Sequence, residues 1–136
     1  MRAALLMIAA VTVAACQPIA AVRKPPPPKP EGPSIVVLVS KTGQPARDLM
    51  HELGARCWLD GVVRGANMIV KPSGNLEIVG DTELLVAAEF VGNKGARSRW
   101  RLTGVSIGDP VKRARLVETL DKAVKTGDTF CPILRS

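Results

Sequence analysis

Five consecutive residues, Arg97-Ser98-Arg99-Trp100-Arg101, carry the most pointed chemistry in this chain. In an extended strand they alternate, so three guanidiniums stand on one face about 6–7 Å apart. Ser98 and Trp100 then point the other way. Guanidiniums form paired hydrogen bonds with phosphate or carboxylate. The row Arg97, Arg99 and Arg101 is therefore a candidate site for an anionic lipid, a glycan or an acidic protein surface. The plainer reading is a solvated sheet face, with Arg97 partly satisfied by Glu89 in an ion pair worth about 0–1 kcal/mol.

Catalytic patterns are present only in fragments. His51 is the one histidine, and His51-Glu52-Leu53-Gly54-Ala55 begins like the zinc motif H-E-x-x-H. Alanine stands where the second ligand belongs, so the helix face has one imidazole and cannot clasp the metal. Gly104-Val105-Ser106-Ile107-Gly108 matches the nucleophile-elbow pattern G-x-S-x-G. That elbow needs its histidine after the serine, whereas His51 precedes Ser106, and it needs a doubly wound sheet larger than this chain supports. Asp60, Glu77, Asp81, Glu83 and Glu89 are available for paired-carboxylate chemistry, but their spacing pairs no two of them. The expectation is a non-enzyme with no catalytic residue, metal site or cofactor.

The N-terminus carries a different signal. Met1-Arg2, an apolar run over residues 3–13 and the small residues before Cys16 are the parts of a secretory signal peptide. The apolar run is too short to span a hydrocarbon core of about 30 Å as a helix. Val13-Ala14-Ala15-Cys16, with valine where leucine is more usual, resembles the lipobox of bacterial lipoproteins. The resemblance implies cleavage before Cys16, lipid on that cysteine, and a chain tethered to a membrane of a Gram-negative envelope. By the same resemblance Gln17, which is not aspartate, implies the periplasmic face of the outer membrane.

With Cys16 lipidated, Cys57 and Cys131 remain, and an even pair in an oxidising compartment reads as a disulfide. Two buried thiols or one reactive thiol are the alternatives. A bridge across so long a loop is worth roughly 4 kcal/mol in the chain-entropy model, and here it would pin the last helix to the sheet.

The chain of 136 residues has a formal charge of +7 and only 3% aromatic residues, none of them Tyr. A positive balance favours acidic partners. Nucleic acid is not expected, because no binding motif accompanies the charge. Residues 1–15 form the expected signal segment, 16–33 a lipidated cysteine with a proline-rich tether, and 34–136 one domain of about 100 residues with a single core. Arg23-Lys24-Pro25-Pro26-Pro27-Pro28-Lys29-Pro30 reads as an extended spacer, since proline lacks the donor that helices and sheets need.

Within the domain, residues 35–39 read as a buried strand. A short helix starts at Pro45, repeats its apolar residues at Ala46, Leu49, Met50 and Leu53, and stops at Gly54. Residues 57–66 lean to strand, because Gly61 and Gly65 sit badly in a helix. Residues 67–70 and 76–79 flank a turn-rich connector, as in a hairpin. A second hairpin joins 82–91 to 96–107. There Trp100 is set against Val86, Leu102 against Leu84 and Arg97 against Glu89, which requires an odd-length loop, and a bulge is expected after Gly104. The last helix is capped by Asp109, starts on Pro110 and ends before Gly127, with an apolar stripe of Leu116, Val117, Leu120, Ala123 and Val124.

These readings give an α+β domain: a mainly antiparallel sheet of four to six strands, two helices on one face with the C-terminal one longest, and the arginine row on the other. The expected function is a lipid-anchored interaction or scaffold module. A small-ligand or lipid carrier is the alternative, and it requires an apolar cavity beneath Trp58 and Trp100.

Overall fold

The computed structural model describes residues 28–59, 65–129 and 131. The expected signal segment, Cys16, the first part of the tether and residues 60–64 lie outside them. The architecture is the expected α+β: five antiparallel strands in the order β1-β5-β4-β3-β2, covered on one face by helices. The strands are β1 Ser34–Val39, β2 Asn67–Val70, β3 Leu76–Val79, β4 Leu84–Lys94 and β5 Arg97–Thr103. The helices are α1 Gly43–Leu53, continued by a π-helical turn at Gly54–Trp58, then α2 Val105–Gly108 and α3 Pro110–Thr126.

The β4–β5 hairpin sets the registers. Its loop is the two residues Gly95-Ala96, with Lys94 opposite Arg97. An even loop alone would place Phe90 against Arg101 and Glu89 against Leu102, apolar side chains against polar ones. A bulge between Phe90 and Gly92 corrects this by leaving Val91 unpaired. Phe90 then meets Trp100, Glu89 meets Arg101, and Ala88 meets Leu102. The expected odd loop is thus replaced by an even loop plus a bulge, and Trp100 and Leu102 pair four residues further along β4 than expected. Gly92, at φ 140°, supplies the backbone shape that the bulge requires.

Strand β1 is an edge. Val39 is fully buried, but Val36 and Leu38 are 56% and 44% exposed, so the expectation of a strand buried on both faces is corrected. The β2–β3 hairpin has the expected bounds, closed by Gly74 N–H donating to the Lys71 carbonyl at 2.8 Å.

Helix α1 buries Ala46, Leu49, Met50 and Leu53 as expected. It does not stop at Gly54, whose φ −56° and ψ −50° are helical. The glycine is there for packing: a Cβ would lie 3.1 Å from Met68 Sδ and 3.2 Å from Leu76 Cδ2. Residues 57–59 are helical, which corrects the expected strand. A π turn puts more residues in each turn, and this swings Trp58 back onto the buried stripe. Trp58 is 1% exposed, and its indole N–H donates to Thr119 Oγ1 at 3.1 Å.

Helix α3 follows its signals. The Asp109 carboxylate accepts from the N–H groups of Val111 and Lys112, Pro110 opens the first turn, and Gly127 closes the last in the left-handed region. The Lys112 N–H is the main reason the Asp109 carboxyl titrates below its ordinary 3.8. Leu116, Leu120 and Ala123 are buried, with Thr119 among them and Val117 and Val124 half-buried. Cys57 and Cys131 are disulfide-bonded, with Cα atoms 5.3 Å apart. Because Cys57 lies on the π turn, the bridge ties the first helical unit to the chain beyond α3. The expected link from helix to sheet is corrected accordingly.

In place of the expected bulge after Gly104, the chain enters α2. Gly104 has φ 138°, and a Cβ there would sit 2.5 Å from the Leu85 carbonyl oxygen. Both strain and collision oppose any side chain. Gly104→Ala is expected to lower unfolding free energy by about 3 kcal/mol or more. Urea unfolding checks this, and a loss under about 1 kcal/mol would mean that β4 and α2 are not so closely apposed.

Candidate functional site

The outer sheet face is the one without helices, and the buried side of β5 orients it. Ser98, Trp100 and Leu102 are all fully buried. Trp100 Nε1–H donates to Ser98 Oγ at 3.0 Å, and that hydroxyl donates to the Lys41 carbonyl at 2.6 Å. Strand alternation then turns Arg97, Arg99 and Arg101 outward. Arg97 and Arg99 are exposed and Arg101 is half-buried.

Each arginine has a different neighbour across the hairpin. Arg101 lies opposite Glu89, with 3.9 Å between Nη1 and the carboxylate, so Arg101 holds the partner that the sequence assigned to Arg97. Arg99 lies opposite Gly92, where a Cβ would touch its Nη2 at 3.4 Å. Arg97 lies opposite Lys94. Like charges directly opposite each other destabilise a strand pair by a few tenths to about 1 kcal/mol. No carboxylate among the described residues pairs with Lys94, Arg97 or Arg99. Lys41, exposed just beyond β1, adds a fourth cation at the same end.

On the far side of β5, Val36 lies opposite Arg101 and Leu38 opposite Arg99. The arginines therefore stand between exposed aliphatic residues of β1 and the polar outer side of β4. The loop length was the missing signal for Lys94: only a two-residue loop of Gly95-Ala96 brings it against Arg97.

The other half of this face is crossed by chain preceding β1. Pro28 and Pro30 line a groove of about 560 Å³ with Lys71, Glu77, Ala87 and Glu89. Ala87 and Thr103, outward-facing in the strand pattern, are only 1% and 3% exposed. Gly104 N–H donates to the Pro33 carbonyl at 3.1 Å, which holds the end of this crossing in place. Glu77 is paired with Lys71 at 3.0 Å. Pro28 and Pro30 of the proline-rich stretch thus lie against the sheet.

The catalytic fragments are not brought together. His51 Nε2–H donates to the Gly74 carbonyl at 2.8 Å, fastening α1 to the β2–β3 turn. Ser106 Oγ is buried in α2 without a hydrogen-bond partner among the described residues. Among those residues no cluster of three or more His, Cys, Asp or Glu could hold a metal, and no helix is long and apolar enough to cross a membrane. Both tryptophans fill the core, and the groove opens on the opposite side of the sheet from Trp100. Cys16 lies outside the described residues.

No protein-family model, no curated protein and no solved structure matches this chain.

Proposed function

We propose that this protein is an envelope lipoprotein, held by lipid on Cys16, whose domain is a non-catalytic interaction module. The observation that carries the module half is the cation cluster of Lys94, Arg97 and Arg99. Placing Lys94 against Arg97 costs the hairpin stability, and no described carboxylate offsets it. A bound anion would offset it, with guanidiniums supplying paired hydrogen bonds and direction. The anchor half rests on the charged start, the short apolar run and Val13-Ala14-Ala15-Cys16. The Cys57–Cys131 bridge suits an oxidising compartment outside the cytoplasm.

A second reading, small-ligand or lipid binding, draws on the groove beneath Pro28 and Pro30. It differs from the carrier expected from the sequence, whose cavity lay under the tryptophans.

Two measurements separate these readings. A photocrosslinking side chain at position 99 of the full chain, produced in Gram-negative cells, should give adducts that a probe at position 121 on α3 does not. Lys94→Glu with Arg97→Glu should remove them while the thermal transition stays within a few degrees. Equal adducts from both probes, or none, would overturn the interaction module. For the ligand reading, envelope lipid extract should raise the unfolding temperature, since a ligand that binds only the folded state stabilises it. An unchanged temperature would remove that reading.

A further inference from the structure

Resting on the anchored reading above, we infer that the outer sheet face is the side turned toward the membrane, and that the phosphates of an anionic phospholipid surface are its partner. Three independent features lie on this one face. The chain leading back toward Cys16 departs across it, with Pro28 and Pro30 beside Ala87 and Glu89. Residues 16–27 can span at most about 40 Å even fully extended. A short tether leaving from this side keeps the face close to the anchoring bilayer, at high effective concentration.

The cations sit at the end of the face that the proline segment leaves open. Lys94, Arg97 and Arg99 have no carboxylate partner among the described residues, and all three are exposed. Anionic lipid surfaces attract such clusters within a Debye length. Beside them, Val36 and Leu38 are exposed along β1, opposite Arg101 and Arg99. Aliphatic side chains flanked by guanidiniums suit the boundary between headgroups and acyl chains, where apolar groups enter and cations stay at the phosphates.

The tether does not leave from the opposite side of the molecule, where Val111 is the exposed aliphatic residue at the start of α3. The outer side of α3 carries mixed charge, including the pairs Lys125–Asp121 at 3.9 Å and Lys122–Asp128 at 3.3 Å. An acidic protein would satisfy the arginines too, but it would not account for the tether leaving from the same face.

The test uses the full chain purified from a Gram-negative host and reconstituted in vesicles of phosphatidylethanolamine with phosphatidylglycerol. A fluorescent amino acid replaces Leu38 in one sample and Asp121 in another, and the vesicles carry a lipid quencher at headgroup depth. The expected result is strong quenching at 38 and little at 121. Lys94→Glu with Arg97→Glu should reduce the quenched fraction at 38 about tenfold, given what each basic residue contributes near an anionic surface. Replacing phosphatidylglycerol by phosphatidylcholine should do the same.

Equal quenching at both positions, or more at 121, overturns the inference while leaving the anchor intact. So do position-99 crosslinks in cells that contain protein and no lipid. The mass of the N-terminal peptide separates the two failures. Peptide without lipid on Cys16 overturns the anchored reading, and the inference with it.

Discussion

The domain depends on one correction of parity in the β4–β5 hairpin. Strand β5 alternates strictly, with Ser98, Trp100 and Leu102 inward and Arg97, Arg99 and Arg101 outward. Strand β4 has its own alternation, and a two-residue loop joins the strands out of phase. Leaving Val91 unpaired brings them back into phase. Phe90 then meets Trp100 ring edge to face at a centroid distance of 5.7 Å, and Glu89 reaches Arg101 on the other side. Without the bulge, a carboxylate would enter the core and an aromatic ring would sit among the guanidiniums. The packed interior and the outward Glu89–Arg101 pair follow from this single unpaired residue, while the two-residue loop alone sets Lys94 against Arg97.

The helical layer is fitted to that sheet at two points. Gly54 lets the first helix lie close to Met68 and Leu76, both of which would have to give way to an added Cβ, and the π turn that follows rotates Trp58 inward. Thr119 receives the indole N–H of Trp58 and donates to the Leu116 carbonyl at 2.9 Å, so the polar atoms of the helix contact are satisfied. An unsatisfied indole donor at such depth would cost about 1–3 kcal/mol. The Cys57–Cys131 bridge then holds the chain beyond α3 to the end of this unit.

Much of this was legible in the residues. Asp109-Pro110 and Gly127 mark α3 because capping chemistry is local, and Lys71 to Asn75 marks the first hairpin for the same reason. The outward arginine row is legible because strand alternation needs no knowledge of partners. What was not legible depends on contacts between distant segments. Gly54 reads locally as a helix stop, and only Met68 and Leu76 reveal it as a packing residue. The pairing of Arg101 with Glu89 depends on a bulge that neither strand announces alone. The cation cluster was hidden by loop length instead, since Lys94 reads as loop until the two-residue turn places it against Arg97. The proline-rich stretch reads as a free spacer by composition, yet Pro28 and Pro30 lie against the outer face of the sheet and the Pro33 carbonyl is bonded to Gly104.

A surface of cations beside aliphatic residues, with the tether leaving across it, follows from the register. The most direct test is therefore nuclear magnetic resonance of the isotope-labelled protein, reading cross-strand backbone contacts between β4 and β5. The account predicts contacts linking Phe90 with Trp100 and Ala88 with Leu102, with Val91 opposite no single residue. Contacts linking Val91 with Trp100 and Glu89 with Leu102 would show an unbulged hairpin, and would contradict both the core and the placement of Ala87 and Glu89 on the outer face.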